Sequence, residues 1–350
     1  MTAVTRPLRL GILDQSPIPE GGTGAQALRN TIDLAQLAEQ LGYGRFWVAE
    51  HHGTPMLACA APEIMVAEIA SATSRIRVGT GGVMLPHYSA FKVAEVFSVL
   101  GGIHGKRIDL GVGRAPGTDG ETMAALQRDR RQLLPDDFTE QLVELLAYFE
   151  GGFPPEHPFA RLARLPGSPG TPEVWLLGTS SQSAIWAAEL GLPYSLADFI
   201  NPGGASAGQL YRERFAPSQR SRQPYVSVAV GVICAETDEE AQRQASSWAM
   251  AITEAEQGRF GPVPTATRAL AFVGGKVGPG SFAGRRVVVG TPDVVRAALE
   301  DIASDYGADE LLIHTLVHNH QARRRSYELI AEAFVLSAPP AKRIATSRRR

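Results

Sequence analysis

The chain has 350 residues, of which 44% are hydrophobic and 20% are charged, and its 34 basic and 36 acidic side chains give a formal net charge of −2. A chain of this length and composition can bury a large core, which excludes disordered, collagen-like and disulfide-stapled proteins. The even balance of charge argues against nucleic acid as a partner, because a nucleic-acid-binding surface needs an excess of positive charge.

Predicted strands and helices alternate along most of the chain. The strands are short apolar runs, and the helices carry apolar residues at three- and four-residue spacing. Strands are predicted at residues 8–15, 45–51, 76–85, 107–113, 174–178, 194–199, 225–233 and 310–316. Helices are predicted at residues 25–41, 62–72, 89–100, 136–149, 183–190, 203–215, 238–251, 291–302 and 323–336.

Three stretches interrupt this alternation. Residues 114–135 are charged and loop-like, while residues 151–172 and 258–289 are rich in Gly and Pro and lack clear periodicity. Eight strands that each precede a helix predict an α/β fold, a single (β/α)8 TIM barrel with insertions after strands four and seven. An open doubly wound sheet would have about five to seven strands. We expect the barrel to occupy residues 1–337 and the basic segment 338–350 to form a C-terminal tail.

The two cysteines, Cys59 and Cys234, are far apart in the sequence and form no CxxC motif. The first residues lack the apolar segment of a signal peptide, and no apolar run approaches the roughly 18 residues that a membrane span needs. We therefore expect a cytoplasmic protein with reduced thiols and no membrane partner.

Candidate ligand-binding residues directly follow the strands, because barrels of parallel strands bind ligands at the carboxyl ends of those strands. Strand five ends in Gly178 and leads through Thr179 and Ser180 to Ser183 at the start of a helix. Unpaired N–H groups and hydroxyls at a helix start suit a phosphate group. Arg114, which follows strand four, can bind phosphate through two parallel N–H bonds.

Simpler roles are open for these residues. Thr179 or Ser180 could serve only as a helix cap, because hydroxyl caps are common. Arg114 could form an ion pair with Asp119 or Glu121 on its own loop.

Two histidines follow strand two, in the run Glu50-His51-His52. Consecutive residues of a strand point to opposite faces, so His51 and His52 would not share one metal ion, and no metal is expected. A neutral imidazole at a strand end suits acid–base catalysis near neutral pH, which makes His51 the catalytic candidate. The alternative for His51 is a structural hydrogen bond.

Gly81 and Gly82 interrupt the third strand. Such glycines indicate either a simple bulge or the close approach of a flat ligand to the backbone. No GxGxxG motif follows the first strand and no phosphate-loop lysine motif occurs, which argues against a Rossmann-type NAD domain and against a phosphate-loop NTPase.

Four segments of the chain together resemble the bacterial-luciferase-like flavin monooxygenases. They are FWVAEHH, IRVGTGGVMLPH, VAEVFSVLGGIHGKRIDLGVGR and VWLLGTSSQSAIWAAELGLP. The resemblance covers roughly residues 8–334 and is greatest to the single-chain group that includes tailoring oxygenases of aromatic polyketide pathways. The family fold is the same barrel that the strand count predicts.

The resemblance implies a role for each candidate residue. His51 would stand beside the flavin as the acid–base residue. Gly81 and Gly82 would form a non-prolyl cis peptide against the isoalloxazine ring. The FMN phosphate would be held by the residues after strands four and five, namely Arg114, Gly178, Thr179, Ser180 and Ser183.

The chain departs from luciferase at two of these places. Thr179 stands where the luciferase α-chain has a carboxylate, so the phosphate site is similar but not identical. Gly113 stands where luciferase has a cysteine, which puts a thiol role in doubt.

The Gly- and Pro-rich residues 258–289 fall where the family has a mobile loop over the active site. Such a loop would keep water away from a reactive flavin. The alternative is an inert surface insertion. Arg285 and Arg286 in this stretch could meet a phosphate or an acidic partner.

The resemblance implies an FMN-dependent monooxygenase. Reduced FMN would come from a separate NAD(P)H:flavin reductase, and with O2 it would oxygenate a small apolar or aromatic substrate, including in polyketide tailoring. Family members are often homodimers through helices two and three. Two alternatives remain open, namely a deazaflavin (F420)-dependent hydride-transfer enzyme and a non-catalytic flavin-binding accessory subunit.

Overall fold

A closed ring of parallel strands organises the protein. The computed structural model describes residues 8–338 apart from 116, 128–136, 163–166 and 168. Its strands are β1 (Arg9–Asp14), β2 (Arg45–Val48), β3 (Arg77–Met84), β4 (Ile108–Gly113), β5 (Glu173–Gly178), β6 (Tyr194–Ala197), β7 (Val226–Cys234), β8 (Val287–Gly290) and β9 (Glu310–His314). Pairing runs in chain order from β1 to β7, and β9 closes the ring between β7 and β1. This arrangement confirms the predicted (β/α)8 barrel.

Helices separate the strands and cover the outside of the ring. They are α1 (Gly24–Leu41), α2 (Pro62–Ala72), α3 (Ala90–His104), α4 (Gly120–Leu126), α5 (Phe138–Glu150), α6 (Ser181–Glu189), α7 (Ala205–Arg214), α8 (Asp238–Glu256), α9 (Ala266–Phe272), α10 (Pro292–Tyr306) and α11 (His320–Ala333). No helix in the described ranges has both the length and the apolarity of a membrane span. Residues 339–350 of the predicted tail lie outside the described part of the chain.

Several element boundaries differ from the sequence predictions. Helix α4 lies within residues 114–135, which were predicted as a loop, and none of its residues is buried, so it has no apolar stripe to detect. Strand β8 begins within residues 258–289, ends at Gly290 and pairs with the last four residues of β7. Its four residues are too few to show a period. Strand β2 ends at Val48, so Glu50, His51 and His52 lie in the following loop rather than on the strand.

Successive residues of each strand point to opposite faces of the ring, as expected for a pleated strand, and so belong to two separate apolar clusters. The larger cluster packs the outer face of the ring against the helices and includes Phe46 and Val48 of β2. The smaller cluster fills the interior of the ring and includes Leu13, Trp47 and Leu312. The interior residues near the carboxyl ends of the strands are therefore apolar.

Charged residues close the opposite end of the ring. Arg45, at the start of β2, forms ion pairs with Asp109 and Glu310, and all three side chains are buried. The Arg45 guanidinium carbon lies 4.4 Å from the Trp175 ring centroid and 5.2 Å from that of Trp47. The Trp47 indole also donates a 3.0 Å hydrogen bond to Asp109. This cluster and its two tryptophans form a floor beneath the interior.

The floor generates a stability prediction. Asp109→Ala should lower the free energy of unfolding by about 3–5 kcal/mol, because it removes the counter-charge of a buried guanidinium. Glu300→Ala, which breaks the half-exposed Arg296–Glu300 pair, should change it by less than about 1 kcal/mol. Urea unfolding measures both values, and equal small effects would show that the floor contributes little.

Candidate functional site

A cavity of about 370 Å³ opens at the carboxyl ends of the strands. This volume is within the roughly 300–1,000 Å³ typical of small-molecule sites. All eight residues proposed from the sequence line it, namely His51, Gly81, Gly82, Arg114, Gly178, Thr179, Ser180 and Ser183. The structure thus brings together residues that lie near the carboxyl ends of strands β2 to β5 or follow them.

The turn between β5 and α6 is held by a capping box. The Ser180 hydroxyl accepts from the Ser183 N–H, and the Ser183 hydroxyl accepts from the Ser180 N–H, each at 3.3 Å. Ser183 also shares a 2.8 Å hydrogen bond with the Tyr194 hydroxyl. The predicted capping role of Ser180 is confirmed. The cap uses only one N–H of the first helical turn, so the preceding N–H groups of α6 remain available to an anion.

Gly178 fits this turn because it lacks a side chain. A Cβ at this position would lie 2.2 Å from the Ser183 hydroxyl oxygen and 2.5 Å from its Cβ. Any larger residue would displace Ser183 and disturb the capping box, so Gly178 shapes the site through its backbone.

Arg114 lies against the same wall. Its guanidinium carbon is 5.6 Å from the ring centroid of Trp186, which belongs to α6. Asp119 instead caps α4, where its carboxylate accepts from the N–H and the hydroxyl of Thr122 at 2.9 Å each. Among the described residues Arg114 forms no ion pair with Asp119 or Glu121. The guanidinium is therefore free to meet an anion beside the start of α6.

The peptide bond between Gly81 and Gly82 is cis, as the family resemblance implies. The pairing of β3 with β4 shifts register between Gly81 and Val83, which also confirms a bulge. A Cβ on Gly81 would lie 2.6 Å from a Leu13 methyl group, and one on Gly82 would lie 2.3 Å from a methyl group of Leu177. A Cβ on Gly82 would also lie 2.7 Å from the backbone oxygen of Gly111, which cannot move aside, so packing inside the ring requires glycine at position 82, whereas at position 81 the Leu13 side chain would have to shift.

The two histidines after β2 have different surroundings. His52 pairs with the buried Glu50 at 2.6 Å, a structural contact. His51 lines the cavity, and its Nδ1 is buried without a hydrogen-bond partner among the described residues. Burial, assisted by the nearby His52, lowers the pKa of His51 to about 4. The His51 imidazole is consequently neutral at pH 7.

The rest of the cavity is largely apolar and aromatic. Sequence reasoning did not single out these residues, although alternation along each strand would have placed several of them on the interior face. They include Leu13, Trp47, Phe138, Trp186, Phe199 and Leu312. No group of three or more His, Cys, Asp or Glu side chains suited to a metal occurs in the described ranges.

Part of the stretch 258–289 is tied to the rim of the barrel. Val263 exchanges 2.8 Å backbone hydrogen bonds with Ile18 and Glu20 of the loop after β1. Arg286 lies 3.5 Å from the buried carboxylate of Asp198, just after β6. The acidic partner of Arg286 is therefore within its own chain.

A sequence model of the luciferase-like monooxygenases matches residues 8–310. The chain belongs to this family. A luciferase-like monooxygenase of Escherichia coli K12 is 36% identical over 325 residues, covering 92% of this chain and 96% of that protein. The N-acetyl-S-alkylcysteine monooxygenase of Bacillus subtilis is 37% identical over 330 residues, with coverage of 94% and 98%.

Solved structures have the same fold. Apo-MsnO8 is 43% identical, with a TM-score of 0.85 and coverage of 95% of this chain and 98% of that one. Two more distant luciferase-fold proteins share only the architecture. They are the oxygenating constituent of 3,6-diketocamphane monooxygenase from Pseudomonas putida, in complex with FMN (19% identity, TM-score 0.70, coverage 96% and 100%), and the coenzyme F420-dependent tetrahydromethanopterin reductase of Methanopyrus kandleri (14%, 0.62, coverage 94% and 99%).

The environment of His51 predicts a pH dependence of stability. Its pKa is about 4 in the folded protein, against an ordinary value of 6.5, so the unfolded chain binds more protons between these values. Stability should therefore fall as the pH is lowered from about 6.5 towards 4. In His51→Gln the slope of unfolding free energy against pH should be shallower, by up to about 1.4 kcal/mol per pH unit. Urea unfolding across this range tests the difference, and parallel curves would refute it.

Proposed function

We propose that this luciferase-like protein is an FMN-dependent monooxygenase. It would take reduced FMN from a separate NAD(P)H:flavin reductase and use O2 to oxygenate a small apolar or aromatic molecule, as polyketide tailoring enzymes of the resembling group do. The observation that carries the proposal is the single cavity that holds His51, the cis Gly81–Gly82 peptide, Arg114 and the start of α6.

The fit to FMN rests first on its phosphate. The start of α6 offers N–H groups and the positive end of a helix dipole, and Arg114 adds a guanidinium that forms no ion pair with the carboxylates in the described part of the chain. Trp186 supports the Arg114 side chain through its ring face. Together they would hold a dianionic phosphate at the rim, with Ser180 and Thr179 as hydroxyl donors.

The remaining cavity suits the flavin ring and an apolar substrate. The Gly81–Gly82 backbone presents a surface without side chains, and Trp47, Phe199 and Leu312 provide an apolar wall. Among the described residues that line the cavity, Arg114 is the only permanently charged side chain. Bound reduced FMN supplies the activation of O2. The apolar wall excludes water and orients the substrate.

His51 would act as the acid–base residue that transfers a proton during oxygenation. Its imidazole is neutral near pH 7, and its Nδ1 has no hydrogen-bond partner within the described ranges, so it can accept a proton from a bound group and return it. The accessory-subunit alternative gives no reason for this histidine to line the cavity.

Arg114→Ala should weaken FMN binding by about 1.5–3 kcal/mol, because it removes hydrogen bonds to a charged group. It should leave the affinity for riboflavin, which lacks the phosphate, unchanged. Fluorescence titration of both flavins measures the difference, and Arg296→Ala on the outer surface serves as the control. Equal losses for FMN and riboflavin would remove Arg114 from the phosphate site, and binding of F420 in preference to FMN would favour the deazaflavin alternative.

His51→Ala and His51→Gln should bind FMN almost normally but slow substrate oxygenation by about 100-fold or more. Turnover is measured with reduced FMN supplied by a flavin reductase, and His104→Ala, at the end of α3, is the control. Full activity of the His51 variants would refute the proton role. FMN binding by the wild type without any turnover would favour the accessory subunit.

We also propose that the protein is a homodimer through α2 and α3. These helices expose Ile64, Val99 and Ile103, which are 61%, 52% and 69% accessible, beside a groove edged by charged side chains. Ile103→Glu should convert the dimer into monomers in analytical ultracentrifugation, because it places a charge in the apolar contact. Val294→Glu, at a similarly exposed position on α10, should not. A wild-type monomer would contradict the proposal.

A further inference from the structure

Glu50 lies next to His51 in the chain, and its side chain is completely buried. Its carboxylate accepts three hydrogen bonds. The Met84 N–H donates to one oxygen at 2.9 Å. The Tyr88 hydroxyl and the His52 ring reach the other oxygen, at 2.8 Å and 2.6 Å. One carboxylate therefore joins three segments of the chain.

Two of these segments form walls of the cavity. Met84 ends β3, the strand that contains Gly81 and Gly82, and its own side chain lines the cavity. His51 is held between Glu50 and His52 in the loop after β2. Loss of the carboxylate would free the His51 loop from the end of β3.

The loop that contains His51 and His52 also contacts the segment after β4. The Thr118 hydroxyl donates a 3.0 Å hydrogen bond to the His52 carbonyl. Thr118 belongs to the loop that follows β4, and this loop begins at Arg114. The loop that Glu50 contacts through His52 is thus also hydrogen-bonded to the segment that follows β4.

The donors match the demands of a buried charge. A carboxylate without partners would be costly to bury, whereas hydrogen bonds to a charged group are strong. Burial, and after it the charge of Glu50, raises the pKa of Tyr88 well above its usual range. Tyr88 therefore stays a hydrogen-bond donor at any physiological pH.

We propose that Glu50 is a positioning residue, which fixes His51 and the Gly81–Gly82 segment relative to each other. The expected effect of Glu50 on FMN binding rests on the proposed function, whereas its hydrogen bond to the Met84 N–H at the end of β3 does not. Glu50→Gln keeps the shape, because the amide can still accept from Met84 and can donate towards His52 or Tyr88. Glu50→Ala removes all three contacts.

The first experiment measures amide hydrogen exchange of Met84 in the flavin-free protein. Exchange should be about tenfold faster or more in Glu50→Ala, the range for loss of one hydrogen bond to a charged group, and near the wild-type rate in Glu50→Gln. Glu39→Ala is the matched control, because Glu39 also accepts backbone N–H bonds, from Ser74 and Ile76 at 2.9 Å, away from the cavity. It should leave Met84 exchange unchanged.

The second experiment measures the FMN dissociation constant and the turnover of the same variants. Glu50→Ala should weaken FMN binding by about tenfold and lower kcat, and Glu50→Gln should restore both to within about threefold. A Glu50→Ala variant that loses as much thermal stability as Glu39→Ala, but keeps wild-type Met84 exchange and FMN affinity, would overturn the proposal.

Tyr88→Phe keeps the test decisive if Glu50→Ala does not fold. This substitution removes only the hydrogen bond that the Tyr88 hydroxyl donates to the Glu50 carboxylate. The rate of Met84 amide exchange and the FMN dissociation constant should each rise about threefold or more. Unchanged values would overturn the proposal. If the wild type binds no FMN, the proposed function fails. Faster Met84 exchange in the variants would still support the positioning role.

Discussion

Closure of a parallel sheet imposes the constraint on which the site depends. In a ring of parallel strands every strand delivers its next residue to the same rim. His51, Gly82, Arg114 and Ser180 are separated by up to 129 positions in the chain, yet each lies near the carboxyl end of one of four neighbouring strands or just after it, and all four line one cavity. These residues lie close together despite their separation in the sequence, because β2, β3, β4 and β5 are neighbours in the ring.

The ring divides its interior by chemistry. At the amino ends of the strands, the carboxylates of Asp109 and Glu310 pair with Arg45, and Asp109 also pairs with Arg77, beside two tryptophans. At the carboxyl ends the wall is apolar, with one arginine at the rim. A ligand that is anionic at one end and flat and apolar over the rest matches this division. The chain belongs to the luciferase-like monooxygenases.

Much of this arrangement could be predicted from sequence. The eight strands of the ring were visible as apolar runs, and all eight site residues selected near the ends of those strands line the cavity, whereas its apolar walls were not predicted. The short elements β8 and α4 were missed because four or seven residues, with little burial, leave no period to detect. The run Glu50-His51-His52 was noticed, but not the role of Glu50, because its partners Met84 and Tyr88 are over 30 residues away. Trp186 was overlooked for the same reason, since its contact with Arg114 is formed only by tertiary packing.

The structure of the protein with FMN bound would test the central claim most directly. We expect the phosphate between the start of α6 and the Arg114 guanidinium, the isoalloxazine ring against Gly81–Gly82, and the His51 imidazole beside that ring. A phosphate bound away from α6, or a ring outside this cavity, would contradict it.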